Sequence, residues 1–131
     1  MNPIRIAIET RLKAFADTQT PKIPVAWEGV PFTPPTSGFY LQAFFLPSTT
    51  INPNVGAIRR RETGGYQINI FAKDGVGSSS IEALADQIVN LFPVFPKWDA
   101  VSIEQTPSIQ VAYVEKDWRV LPIRMKYRYE S

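Results

Sequence analysis

Three consecutive arginines, Arg59-Arg60-Arg61, are the densest concentration of chemistry in this sequence. Guanidinium groups suit carboxylates and phosphates, which they hold by paired N–H bonds. Just before them, Asn52-Pro53-Asn54-Val55-Gly56 reads as a turn, and Ala57-Ile58 leads out of it. A second basic set, Arg124, Lys126 and Arg128, falls at alternate positions near the end of the chain. Strand spacing puts all three on one face. The same geometry points Arg59 and Arg61 one way and Arg60 the other, so a single groove would not take the whole triplet. Arginine is enriched at protein interfaces, and a net charge of +2 is too small for a dedicated nucleic-acid binder. Protein contact is therefore favoured. The alternative is a small nucleic-acid-binding module using both clusters, with steep salt dependence as its signature. A plainly solvated face is the simplest account of Arg124, Lys126 and Arg128.

Catalysis finds little to work with. The chain has no histidine and no cysteine. That excludes Ser-His-Asp and Cys-His catalysis within one chain, along with disulfides and zinc–thiolate sites. Asp17, Glu28, Glu62, Asp74, Asp86 and Asp99 are scattered, with no metal-ligand spacing. A carboxylate-based hydrolase needs two convergent acids, and spacing nominates no pair. Lys73-Asp74-Gly75-Val76-Gly77-Ser78-Ser79-Ser80 has a Gly-x-Gly before a helix but neither the third glycine nor a Gly-Lys-Ser/Thr. Capping serines account for it. The expectation is a protein that is no enzyme and has no cofactor.

The elements that must position these residues follow from periodicity. The chain is 131 residues long and 44% hydrophobic, which fits one packed domain. No apolar run reaches the roughly 20 residues needed to span a bilayer. Met1-Asn2-Pro3-Ile4-Arg5 lacks the features of a signal peptide. The reading is of a soluble chain that is not exported by the general route, with no membrane partner.

Residues 3–17 carry a helical stripe of Ile4, Ala7, Ile8, Leu12 and Phe15, with Asn2 as cap and Pro3 at the first position. Residues 18–37 are a proline-rich connector in which Val25 to Glu28 could form a short strand; Trp27 and Phe32 should pin it. Residues 38–46 form a nearly continuous apolar strand, as if covered on both faces. Gly64-Gly65 opens a strand in which Tyr66, Ile68 and Ile70 alternate with Gln67 and Asn69. Residues 79–92 are a second helix, with Ser79 and Glu82 as a capping box. Pro93 to Asp99 is a rigid connector. Residues 100–105 and 108–114 are strand candidates. Residues 118–129 close the chain, with Leu121, Ile123, Met125, Tyr127 and Tyr129 on one face and the basic set on the other. Pro122 argues for an edge, a bulge or a strand start.

Residues 47–63 stand out as an arm, too long for a tight hairpin. Thr49-Thr50-Ile51 could pair with Ala57-Ile58-Arg59 beyond the turn. Asn54, Val55, Ile58, Arg59, Arg60 and Arg61 are the candidate contact residues for another subunit; a solvated disordered loop is the plainer reading. The whole predicts a single α+β domain over residues 1–131. It has two layers: a mostly antiparallel sheet, two helices packed on one face, and a projecting hairpin arm.

The sequence resembles the bacteriophage tail terminator-like proteins, a family similar in fold to the minor tail protein U of lambda-like phages. The likeness rests on Trp27-Glu28-Gly29-Val30-Pro31-Phe32-Thr33-Pro34, Tyr40-Leu41 with Leu46-Pro47, and Arg60-Arg61-Glu62-Thr63-Gly64 with Tyr66-Gln67-Ile68. It continues in Ala85-Asp86 with Leu91-Phe92-Pro93 and in Trp118 with Pro122-Ile123. The match runs in order over nearly the whole chain. The loop entry at Lys73-Asp74 departs from the pattern, where a proline often follows the strand. The resemblance implies a phage or prophage structural protein of the virion tail, assembled in the host cytoplasm. It implies a homo-hexameric ring, with the tail tube protein and the head-tail connector protein as partners; a monomer in free solution is consistent with that role. Such a ring would cap the tube, terminate its polymerisation and form the head-tail joining surface. No catalysis is implied, and nucleic acid is not an expected partner.

Overall fold

A computed structural model describes residues 3–19, 22–35, 38–46, 49–51, 61–73, 78–92 and 101–130; at 3–4, 49–51, 61–62, 78, 101 and 129–130 only the backbone is described. Two long strands form its spine. β4 (Arg61–Lys73) and β8 (Trp118–Glu130) pair antiparallel along their full length, Arg61 opposite Glu130 and Lys73 opposite Trp118. Shorter strands flank them in one eight-stranded sheet. On the β4 side lie β2 (Phe39–Phe45) and then β1 (Val25–Trp27), which runs parallel to β2. β3 (Thr49–Ile51) extends that side, pairing with Arg61–Thr63. On the β8 side lie β5 (Val101–Ile103), β6 (Ser108–Ile109) and β7 (Tyr113–Glu115).

The two helices, α1 (Pro3–Thr18) and α2 (Ser78–Leu91), cover one face of this sheet. Ala7, Ile8, Leu12 and Ala16 from α1 meet Ile81, Leu84, Ala85 and Ile88 from α2 over Leu41, Ala43, Tyr66, Ile68, Ile70, Leu121, Ile123, Met125 and Tyr127. Period-two alternation puts these strand residues inward on every second position. α2 has no basic residue in its last turn. It borrows one: Arg11 Nη1 donates to the Leu91 carbonyl at 2.7 Å, satisfying an orphan acceptor at the helix end. The architecture is the expected α+β layering on a mostly antiparallel sheet.

Several expectations shift. β4 does not begin at Gly64-Gly65 but runs through them from Arg61, because neighbours pair with it on both sides there. The partner of Thr49–Ile51 is accordingly Arg61–Thr63 rather than residues 57–59. α2 begins at Ser78, so Ser79 lies inside the first turn and is not the cap. β2 is not covered equally on both faces: Leu41 and Ala43 are buried under the helices, but Gln42 is exposed. The Asn2 cap, the 74–77 loop entry, the 93–99 connector and the arm tip at 52–60 lie outside the described residues.

Pro122 lies buried inside β8, opposite Asn69, and neither at an edge nor at a strand start. Its carbonyl accepts from the Gln110 N–H at 2.9 Å, so its outer side faces the β6–β7 strip. Proline has no N–H to return. Just beyond that bond the strip divides into β6 and β7, and its register slips by one residue, Ile109 lying opposite Ile123 but Tyr113 opposite Val120. The missing donor and the extra residue opposite it, a bulge of the kind the sequence allowed for, together divide residues 108–114 into two strands.

Candidate functional site

The sheet face away from the helices carries the second basic set singled out by sequence. Alternation on β8 places Val120, Pro122, Arg124, Lys126 and Arg128 there, opposite Met125 and Tyr127. Arg124 and Lys126 are exposed and Arg128 is half-buried. Arg128 Nε donates to Glu104 Oε1 at 2.9 Å. Arg124 Nε donates to the neutral Gln67 Oε1, also at 2.9 Å. The basic set is therefore one surface with unequal members, in which only Arg128 has a carboxylate partner among the described residues. A groove of about 440 Å³ crosses this end of the sheet, lined by Leu46, Gly64, Gly65, Glu104, Arg124 and Lys126 among others. Gly65 lets the Leu46 side chain pack down at its edge: a Cβ there would lie 2.8 Å from Leu46 Cδ1.

A polar row continues from Arg124 across three strands. Gln67 Nε2 donates to Asn69 Oδ1 at 2.8 Å, and Asn69 Nδ2 donates to Gln42 Oε1 at 3.0 Å. Gln67 and Asn69 face away from the helices as their alternation requires, yet both are buried, at 8% and 5% exposure. The alternation in the sequence points them to the other face from Tyr66, Ile68 and Ile70 but carries no sign that they are buried there. Only the cross-strand register shows that their neighbours close over them.

Beyond the row is an aromatic cluster. Tyr40 stacks on Phe71 at 4.5 Å between centroids and meets Trp118 edge-on at 4.9 Å. Phe32, from the proline-rich crossover, closes over Tyr40 at 5.2 Å, and Lys73 Nζ sits 4.7 Å above the Trp118 ring. Burial, and secondarily the charge of Glu115, holds the Tyr40 phenol above its ordinary pKa. Aromatics thus share the face with the basic set, but Tyr40 and Phe71 are buried against one another and offer no free ring for base stacking.

One pair of acids missed by spacing does converge. Arg5 Nη1 donates to Glu9 Oε2 at 3.0 Å and Nη2 to Glu28 Oε1 at 3.2 Å. The Phe45 N–H also donates to Glu28 Oε1, at 3.2 Å, and the Arg5 guanidinium lies 4.6 Å above the Phe45 ring. Partial desolvation pulls the Arg5 pKa down, but hydrogen bonds to Glu28 and Glu9 outweigh it and the net shift is upward. The two carboxylates therefore tie α1 to the turn after β1 and to the end of β2. The Tyr66 hydroxyl donates to Glu9 Oε2 at 3.4 Å. No signal in the sequence links Glu9 to Glu28. Among the described residues no group of three or more His, Cys, Asp or Glu could hold a metal ion.

Tyr66 gives a pH dependence with a definite sign. Its ring is fully buried, and burial followed by the charge of Glu9 raises its phenol pKa well above the usual 10. The folded state therefore holds the proton where the unfolded state has released it. The associated stability is complete below pH 10 and is lost as pH rises from there toward the folded pKa. The limiting slope is about 1.4 kcal/mol per pH unit for one proton. Urea midpoints measured between pH 9 and 11.5 should fall, and Tyr66→Phe should flatten that fall. An equally steep decline in the variant would assign it to other groups.

Of the residues expected to make contacts, Asn54, Val55, Ile58, Arg59 and Arg60 lie outside the described residues, and only the backbone of Arg61 is described, at the start of β4. The base of the arm is the pairing of β3 with Arg61–Thr63. A further surface was not anticipated. Ile109, Val111, Tyr113 and Val114, along the β6–β7 strip, are exposed large apolar residues, Val111 by 89%. Tyr113 and Val114 were read as part of a strand, with no sign that they would face water.

A family model described as "Phage tail terminator protein" matches residues 3–127. One similar solved structure, whose title states no function, is 33% identical with a TM-score of 0.78, covering 96% of this chain and 92% of that one. Another, titled as the virion of a native gene transfer agent particle, has a TM-score of 0.62 at 18% identity, covering 95% and 92%. At that identity it shows a shared fold alone. No curated protein matches.

Proposed function

The chain belongs to the phage tail terminator family, a structural part of the virion tail, and from that premise we propose that it closes the end of the tail tube as a ring of like subunits. The observation that carries this reading is the family match, which spans residues 3–127 of 131. The ring stops tube growth at the proper length. One side of it seats on the last layer of tube protein, and the other offers the surface to which the head connector joins. Six copies fit the sixfold repeat expected of the tube, and the role needs no catalysis. Contacts that are weak one at a time multiply when several neighbours engage together, so free subunits can remain monomeric until a tube end gathers them.

The arm of residues 47–63 contacts the adjoining subunit or the tube, through Asn54, Val55, Ile58 and Arg59-Arg60-Arg61. Its support is the pairing of β3 with the start of β4, which brackets residues 52–60, and the cationic triplet that ends at Arg61 in the sequence. The test is to add the protein to cognate tail tube subunits as they polymerise, and to image the products. Uniform lengths with an added density at one end are expected. Overlong tubes with bare ends would overturn the reading.

Replacing each arginine of the triplet by glutamate takes the net charge from +2 to −4, six units lower. The substitution R59E/R60E/R61E should abolish capping even at roughly tenfold the concentration at which the natural protein caps. The monomer should stay folded, since substitutions outside a core usually change stability by no more than about 0.5 kcal/mol. Undiminished capping by this variant would remove the arginines from the interface while leaving the terminator role intact.

A further inference from the structure

Two exposed pairs of side chains on opposite sides of the domain carry opposite charge with no ion-pair partner among the described residues. α2 has no basic residue between Ser78 and Leu91. Its solvent side presents Glu82 and Asp86, both exposed, one helical turn apart. Side chains at this spacing lie about 6 Å apart, and like charges there cost a few tenths of a kcal/mol. Among the described residues neither has an ion-pair partner. α1 differs: its acids Glu9 and Asp17 are each paired, with Arg5 and Lys13. Across the domain, on the bare sheet face, Arg124 and Lys126 are exposed two residues apart on β8, a spacing of about 7 Å. Arg124 meets only the neutral Gln67, and Lys126 has no acid partner among the described residues. The nearby carboxylate, Glu104, is taken by Arg128.

We infer that the Glu82–Asp86 face of one copy docks on the Arg124–Lys126 face of the next. This rests on the ring reading and specifies its contact. The occupant is a second copy because the match is in both sign and spacing: two acids about one helical turn apart face two bases about two strand residues apart. The faces lie on opposite sides of a two-layer domain, so the contact joins unlike patches and repeats from copy to copy. That is the heterologous geometry from which closed rings are made. The groove beside Gly65 opens next to Lys126 and receives α2, on which Ala83 is exposed between the two acids in sequence.

The absence of cysteine permits a clean test by thiol trapping. Ala83→Cys is placed in one batch of protein and Thr106→Cys, beside the groove, in another, so that all four charges are retained. Mixed disulfide between the batches is timed against a control that pairs Ala83→Cys with Ala14→Cys on the exposed side of α1. At low ionic strength the first pair should link roughly tenfold faster than the control, and the preference should vanish near 1 M salt. Adding R124E/K126E to the Thr106→Cys protein should erase the preference. Adding E82K/D86K to its partner as well should restore it. Equal rates for test and control pairs overturn the inference, as does a preference insensitive to those reversals. Tube capping by the natural protein is scored separately. Capping without preferential linkage rejects this contact but keeps the terminator role, whereas linkage without capping rejects the role and keeps the contact.

Discussion

Phe92→Ala should lower the free energy of unfolding by about 3–5 kcal/mol, the largest effect expected of a single truncation in this chain. Phe92 is fully buried and follows the last turn of α2, where its N–H donates to the Val89 carbonyl at 3.2 Å. Its ring belongs to the core cluster between the helices and the sheet. The cavity left by alanine cannot easily collapse, because this corner is also held by Arg11 on the Leu91 carbonyl. Total stabilities of about 5–15 kcal/mol are usual, so the variant should be near its limit at 37 °C. Urea denaturation followed by circular dichroism measures the loss. A change below about 1 kcal/mol would mean that the site repacks and that Phe92 is not a keystone of the core.

The second large effect concerns the polar row on the bare face. Asn69→Leu keeps the approximate size of the side chain but strands the Gln67 Nε2 donor, which is buried. Leaving such a group unsatisfied costs about 1–3 kcal/mol. The acceptor on the other side, Gln42, is exposed and can turn to water. Adding Gln67→Leu should then recover much of the loss, because both members of the buried pair become apolar and Arg124 remains solvated. A double-mutant cycle by chemical denaturation reads this coupling. Strict additivity of the two losses would show that the row is not a bonded unit.

That row also marks where sequence reading ended. The alternation of Tyr66, Ile68 and Ile70 with Gln67 and Asn69 settled which way each residue faces, since a period of two leaves one choice. Burial of the polar members depended on Gln42, which lies 27 positions before its partner Asn69, and on Arg124, 57 after its partner Gln67, and these meet only through register. The helices were legible because their apolar stripes are local, and their observed limits differ from the expected ones by a residue. The parallel pairing of β1 with β2 was hidden, because a proline-rich crossover leaves no periodic trace of the direction in which it delivers the chain. Glu9 and Glu28 converge for the same nonlocal reason. The alternate spacing of Arg124, Lys126 and Arg128 fixed their common face, but their unequal pairing needed the position of Glu104. Glu82 was read as half of a capping box and Asp86 as one of several scattered acids, since nothing local in the sequence shows that both stand exposed on one side of α2.

The proline in the middle of β8 has a bearing on solubility. A long, flat, unbroken strand at the margin of a sheet is a template on which further chains add without limit, and this is how amyloid grows. The strip beside β8 carries large exposed apolar side chains, which would worsen that hazard. At Pro122 and the bulge opposite it, the strip is cut into pieces of two and three residues, shorter than the roughly six or seven typical of a fibril-forming segment. A single absent hydrogen, together with one extra residue opposite it, thus leaves this margin of the sheet without the continuous edge on which further strands could add.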